Sequence, residues 1–178
     1  ALNMAIDRQA IKDDLYNGQA ETFAWPVSPY DKSYAFAYIP LEEYPESVQK
    51  LFRYSPAEAK QLLIEAGYPA GFKAEVITPA TSVDMLSIVA DYWKKNLNVE
   101  MDIQVREAAV YSNISRFNTY KNMLMSGLSK GGVKIANVRI GRDDLNHSRI
   151  SDTFPEELYW KGMELYFTDP FARDKLYR

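Results

Sequence analysis

The chain has 178 residues, 47% of them hydrophobic, and its 21 basic and 24 acidic side chains leave a net charge of −3. That length supports one domain, or one lobe of a larger protein, with a sizeable core. The near-balanced charge lacks the long-range attraction of a nucleic-acid or anionic-membrane binder. Cysteine is absent and histidine occurs once, as His147, which excludes disulfides, Cys-ligated zinc, iron–sulfur clusters, cysteine nucleophiles and multi-histidine metal sites.

In chain order, Ala1 to Ile6 reads as the last turns of a helix, and the chain opens without methionine. Asp7 is the expected N-cap of the next helix, with Ile11 and Leu15 on its buried side and Gly18 just past its end. Residues 19–50 then read as an aromatic, proline-rich covering loop. Phe23, Trp25, Tyr30, Tyr34, Phe36, Tyr38 and Tyr44 lie among Pro26, Pro29 and Pro40, which deny a long regular helix. Packing accounts for most of these aromatics, and Trp25 is the candidate stacking wall for a ligand.

Ser55-Pro56-Ala57-Glu58 predicts a capping box with proline at the first helical position. Ala59, Leu62, Leu63 and Ala66 make one face apolar, and Gly67 and Pro69 end the helix. Lys73 to Thr78 is a predicted strand closed by Pro79. The next predicted helix, capped by Thr81 or Ser82, shows Met85, Ile88, Val89, Tyr92 and Trp93 on one face. Val99, Met101, Ile103 and Val105 alternate with polar residues, which predicts a strand with one wet face near a sheet edge. Val110, Ile114 and Phe117 mark another helix, and 122–128 an apolar strand. Strand, helix, strand, helix, strand predicts an α/β fold with a largely parallel sheet and flanking helices.

Residues 129–152 form a polar, irregular segment, and Thr153 to Phe167 reads as a helix with Leu158, Met163, Tyr166 and Phe167 as its apolar positions. Thr168-Asp169-Pro170 is a helix start close to the end of the chain. Both ends therefore predict that 1–178 is a single lobe excised from a longer protein.

No motif calls for catalysis, a cofactor or a metal. His147 lacks a Gly-x-Ser-x-Gly elbow. Ser126 to Gly132 (Ser-Gly-Leu-Ser-Lys-Gly-Gly) lacks the phosphate-loop order, although its glycine amides suit an anion. The paired carboxylates Asp13-Asp14, Glu42-Glu43, Asp143-Asp144 and Glu156-Glu157 are adjacent residues, which do not face each other on a helix. Ligands of open α/β sheets sit beyond the carboxyl ends of the strands. The candidate ligand-binding residues are therefore Ser126, Gly127, Leu128, Ser129, Lys130, Gly131 and Gly132, with Trp25. A hydrolase or transferase built around His147 in 129–152, and a ligand-sensing module without transport, are the alternatives.

Ala1-Leu2-Asn3-Met4-Ala5-Ile6-Asp7-Arg8 followed by Ile11 resembles the "ALN-x-AIDR-x-x-I" segment of the family 5 extracellular solute-binding proteins, the binding components of peptide, oligopeptide and nickel ABC transporters. Tyr54 to Pro69 is similar to that family's "Y-x-P-x-x-A-x-x-LL-x-x-AGYP" stretch. The order that follows, from a strand through a helix to Leu97–Met101 and then Tyr120 before Ser126-Gly127, also matches. The resemblance implies one lobe of a two-lobe, class II periplasmic-binding-protein-like fold. It also implies a periplasmic or extracellular location, a small-molecule or peptide ligand, a missing second lobe, and permease subunits as partners. The mechanism implied is capture by lobe closure, with no bond chemistry. In peptide binders of the family an acidic residue after this strand meets the ligand's amino terminus. Here Leu128 and Ser129 are followed by Lys130, so a ligand with an anionic or polar group is the better match.

Overall fold

The opening residues show how tertiary donors override local pattern. Leu2–Ala5 forms a 3-10 turn rather than the end of an α-helix. Its carbonyls are claimed from far along the chain. The Trp93 indole N–H donates to Leu2 O (3.1 Å), the Ser55 N–H to Met4 O (2.9 Å) and the Asn96 amide to Ala5 O (2.8 Å). Met4 and Ala5 are consequently buried although no long helix carries them.

The structure is a computed structural model and describes residues 1–24, 29–30, 37–126, 146–147, 149 and 151–177. Its contacts gather into two compact units. The first comprises Ala1–Thr22, Leu41–Tyr111 and Tyr120–Met125; the second comprises Phe23–Pro40, Ser112–Thr119 and Ser126–Arg178.

In the first unit, α1 (Arg8–Tyr16) starts as expected, with the Asp7 carboxylate accepting the Ala10 N–H at 3.0 Å. It ends on Asn17, which takes the left-handed conformation (φ 49°) one residue before Gly18. No residue of α1 is buried, and Leu15, expected inside, is 42% exposed. A helix unforeseen in the sequence, α2 (Glu46–Phe52), follows. It is short, and local side chains hold it: Gln49 donates to Glu42 O (3.0 Å) and Tyr44 O (2.8 Å), and Arg53 pairs with Glu46 (2.8 Å).

Helix α3 (Pro56–Glu65) has proline at its first position, as predicted, but not the capping box. Ser55 makes no side-chain cap bond, and Glu58 turns instead to Lys50. Its end is a Schellman motif. Gly67, at φ 91°, donates to Ile64 O (2.9 Å), and Tyr68 donates to Leu63 O (3.0 Å). Gly71, at φ 76°, is required for a different reason. A Cβ there would stand 2.0 Å from the Asn98 carbonyl oxygen, so the chain before β1 presses on the end of α4.

Strands β1 (Lys73–Pro79), β2 (Glu100–Arg106) and β3 (Met123–Leu124) form a parallel sheet in the order β2-β1-β3. The central strand buries Val76, Ile77 and Thr78 in succession, the signature of a strand covered on both faces. The alternating strand lies at an edge, as its pattern implied. Helix α4 (Val83–Leu97) crosses between β1 and β2. Its buried residues are Leu86, Trp93 and Leu97. Of the expected face, Trp93 is buried and Val89 packs against the core, whereas Met85, Ile88 and Tyr92 are only partly buried. Leu97, Trp93 and Val99 pack with Met4, Ala5, Ala59 and Leu63 into one cluster. The chain is thus mixed α/β with a parallel sheet and flanking helices, as predicted.

The second unit takes in the last turns of α5 (Ala108–Arg116), then α6 (Phe154–Glu164) and α7 (Pro170–Tyr177). Asp169 caps α7, accepting the Ala172 N–H at 2.9 Å. On α6 the buried residue is Gly162, whereas Met163, Tyr166 and Phe167 are exposed, Phe167 to 88%. Of the expected apolar positions, Leu158 is partly buried and Met163 exposed, and Tyr166 and Phe167 lie beyond the end of α6. Most of the expected 129–152 segment, and residues 25–28 and 31–36 of the expected 19–50 loop, lie outside the described residues.

Candidate functional site

The three parallel strands run out at the same edge of the sheet, at Pro79, Arg106 and the Met125-Ser126 step after β3. The exit from β3 is held on both of its backbone groups. The Met125 N–H donates to Ile77 O at 2.8 Å, which extends the ladder one residue past the strand. Its carbonyl accepts the Tyr111 hydroxyl at 2.6 Å. A short, directional phenol bond of this kind fixes where the following segment departs. Thr78 lies at the same edge. It is fully buried, and its hydroxyl donates to Pro79 O at 3.0 Å. Tyr111 was missed by sequence reading because it sits one position off the Val110–Ile114–Phe117 stripe. Only the fold brings it beside Met125.

Of the candidate ligand-binding residues, Ser126 is described and partly buried, immediately after that pinned step. Gly127, Leu128, Ser129, Lys130, Gly131, Gly132 and Trp25 lie outside the described residues.

His147 belongs to the second unit, and its surroundings bear on the enzyme alternative. Its Nε2 is 3.5 Å from the Ser115 hydroxyl and its Nδ1 is 3.3 Å from Asn118 Oδ1. The order serine, imidazole, amide resembles a nucleophile, a base and an orienting group. Both separations, however, exceed the 2.6–3.2 Å of a working proton relay. The local backbone explains the cluster differently. Asn118, at φ 51°, closes α5, and the N–H groups of Asn118 and Thr119 donate to Ser115 O (3.3 Å) and Ile114 O (3.1 Å). The Arg149 guanidinium donates to Asn118 O at 2.7 Å, and buried Asn146 accepts the Arg149 N–H at 3.0 Å. His147 and Arg149 therefore tie off the end of a helix. Among the described residues, no group of three or more His, Asp or Glu side chains is placed to hold a metal. No described helix is long and apolar enough to cross a membrane.

Residues 1–137, more than three-quarters of the chain, match the profile of the bacterial extracellular solute-binding proteins, family 5, Middle. The chain belongs to this family. Among family 5 relatives, heme-binding protein A of Haemophilus influenzae is 39% identical over 75 residues, 42% of this chain and 12% of that protein. The glutathione-binding protein GsiB of Salmonella typhimurium is 43% identical over 72 residues, 40% of this chain and 12% of that protein. The crystal structure of a periplasmic oligopeptide-binding protein, OppAIV of Borrelia burgdorferi, superposes with a TM-score of 0.75 at 22% identity. That superposition covers 98% of this chain and 34% of OppAIV. The chain thus has the fold of part of a periplasmic binding protein and spans about a third of the length of that structural relative.

Proposed function

We propose that this chain is the ligand-binding lobe of an extracytoplasmic ABC-transporter receptor. In this reading the receptor captures a peptide or other small polar solute by lobe closure and delivers it to membrane permease subunits. The observation that carries the reading is the family match over residues 1–137. It works by binding rather than catalysis, outside the cytoplasm, with a second lobe completing the cleft. The 126–132 segment provides the ligand contacts of this lobe and Trp25 a stacking wall. A parallel sheet directs its strand ends toward such a segment, and the pinned Met125 sets where it begins.

The named ligands of the relatives differ, comprising heme, glutathione and oligopeptides. The ligand class is therefore read from this chain's own residues. Lys130 and the glycine amides of 131–132 favour an anionic or polar group over a free ammonium. The test is native mass spectrometry of the receptor containing this chain, secreted from a bacterial host. A discrete added mass, lost on denaturation, is the expected result. Lys130→Ala should then weaken that ligand about tenfold, as loss of a charge-assisted bond does. An unaltered affinity would remove Lys130 from the site, and a bound peptide with a free amino terminus would overturn the preference for anions. His147→Ala should leave binding unchanged; a hydrolytic activity abolished by it would favour the enzyme alternative.

A further inference from the structure

Helix α1 leaves none of its residues buried, yet one side of it is not plain surface. Between α1, the 20–22 turn and α4, all within the first unit, lies a groove of about 430 Å³. That volume falls within the range of small-molecule sites. Ile6 and Ile11 on one wall face Met85 and Val89 on the other. Met85 and Val89 belong to the apolar face that the sequence assigned to α4; Val89 also packs against the core cluster that holds Trp93 and Leu97, whereas Met85 lies outside it. The apolar face of α4 therefore reaches past the core to Met85, and that margin opens on this groove.

Two cations line the same groove, Arg8 and Lys12. Among the described residues, the contacts of Arg8 are with neutral groups. It donates to Asn3 O at 3.0 Å and to the Asn3 side-chain oxygen, and it lies 5.5 Å from the centre of the Phe52 ring. A guanidinium has five N–H donors, and two of them go to Asn3. Burial lowers the Arg8 pKa from its ordinary value, and no carboxylate offsets that desolvation. Lys12 likewise has no carboxylate partner among the described residues. The acidic side chain on the groove is Glu21, so the lining is apolar with a cationic excess.

We propose that this groove is a second binding site, separate from the 126–132 segment, and that it takes a small apolar carboxylate. The anionic head meets Lys12 and the remaining donors of Arg8, and the hydrocarbon body lies against Ile6, Ile11, Met85 and Val89. Free medium-chain acids and the C-terminal carboxylates of short apolar peptides share this chemistry.

The test is an amide-resolved NMR titration of the 178-residue chain with sodium octanoate, octanamide, acetyl-dileucine and acetyl-dileucine amide. Saturable shifts with octanoate or acetyl-dileucine, centred on residues 6–12 and 85–89, are expected. The tighter of the two acids assigns the source of the carboxylate. The corresponding amides should bind at least about tenfold more weakly, the loss expected for an anion deprived of charge-assisted bonds. Lys12→Gln should weaken the acid about fivefold. Val89→Trp should fill the groove and abolish the shifts, with the Lys12 variant keeping the test intact if Val89→Trp perturbs folding. Equal affinity for acid and amide, shifts centred elsewhere, or no saturation would overturn the proposal. Lys130→Ala should leave the octanoate titration unchanged, which separates failure here from failure of the receptor reading.

Discussion

The two units use similar apolar material to opposite effect. In the first, Trp93 is 8% exposed, packs among Met4, Ala59, Leu63 and Leu97, and bonds through its indole N–H to Leu2, 91 residues away. In the second, Trp160 is 52% exposed, and its indole N–H donates to Glu156, one helical turn back. Phe154, Phe167 and Phe171 are more exposed still. Among the described residues of the second unit, only Ala37, Asn146 and Gly162 are buried. Among the described residues, the contacts on its helices include the Asp169 cap, the Tyr166–Phe167 ring contact and the Arg173 guanidinium over Tyr166 at 5.1 Å. The described residues of the first unit stand apart because apolar side chains such as Trp93 meet partners distant in sequence, and such partners close a core.

The substitutions that break this contrast most strongly fall in the first unit. Trp93→Ala removes a buried indole and leaves Leu2 O unpaired, and should cost about 3–5 kcal/mol, read as a fall in the urea midpoint. Gly71→Ala should come next, at about 2–3 kcal/mol, because its new methyl group meets the Asn98 carbonyl while the backbone holds φ 76°. Gly67→Ala, left-handed but facing open space, should cost about 1 kcal/mol in the same assay.

Tyr111→Phe deletes one hydroxyl and should lower stability by about 1 kcal/mol. It should also speed hydrogen exchange at Met125 and Ser126 if that bond anchors the exit from β3. No change in exchange there would detach Tyr111 from the site. Trp160→Ala should cost under about 0.5 kcal/mol, since its ring is half in water. A loss approaching that of Trp93→Ala would erase the contrast between the units.

The smallest expected effect is a pH dependence. Glu100 has its pKa lowered, first by hydrogen bonds from Lys94 (2.6 Å) and Lys73 (3.1 Å) and then by their charges. A carboxylate whose pKa is depressed in the folded chain stabilises it at neutral pH, and that contribution is lost as pH falls through the folded-state value. The Glu100 side chain is 43% exposed, so solvent screens both pairs. Glu100→Gln should therefore bring a slight loss near neutrality and none in acid, as measured by parallel denaturant melts.

Legibility followed the range of the interaction concerned. The end of α3, the Asp7 cap of α1 and the Asp169 cap of α7 were readable, since each is closed by groups within about five residues. The parallel pairing was readable from the strand–helix–strand order. The capping box at Ser55 was not, because Lys50, on a helix the sequence did not announce, takes Glu58 away. Nor was the burial of Leu86 on α4. Met85 and Leu86 are neighbouring apolar residues, and only the folded chain shows that Leu86 is the buried one. Of the candidate site, a strand near Met123 was legible, but it was expected over 122–128 and β3 covers Met123–Leu124; its Tyr111 clamp came from a helix that the sequence had read by a neighbouring stripe.

The sequence by itself determined the fold class, the family through two local motifs, and the helix boundaries set by caps and left-handed residues. These properties rest on backbone preference and on side chains a few positions apart, which every copy of the segment carries with it. The tertiary structure decided the β2-β1-β3 order, the burial of Leu86 rather than Met85 on α4 and the conversion of the opening segment into a 3-10 turn. It also decided the anchoring of Met125 by Tyr111. Each of these depends on donors and surfaces separated along the chain, and their pairing gains free energy only once the loops between them have closed.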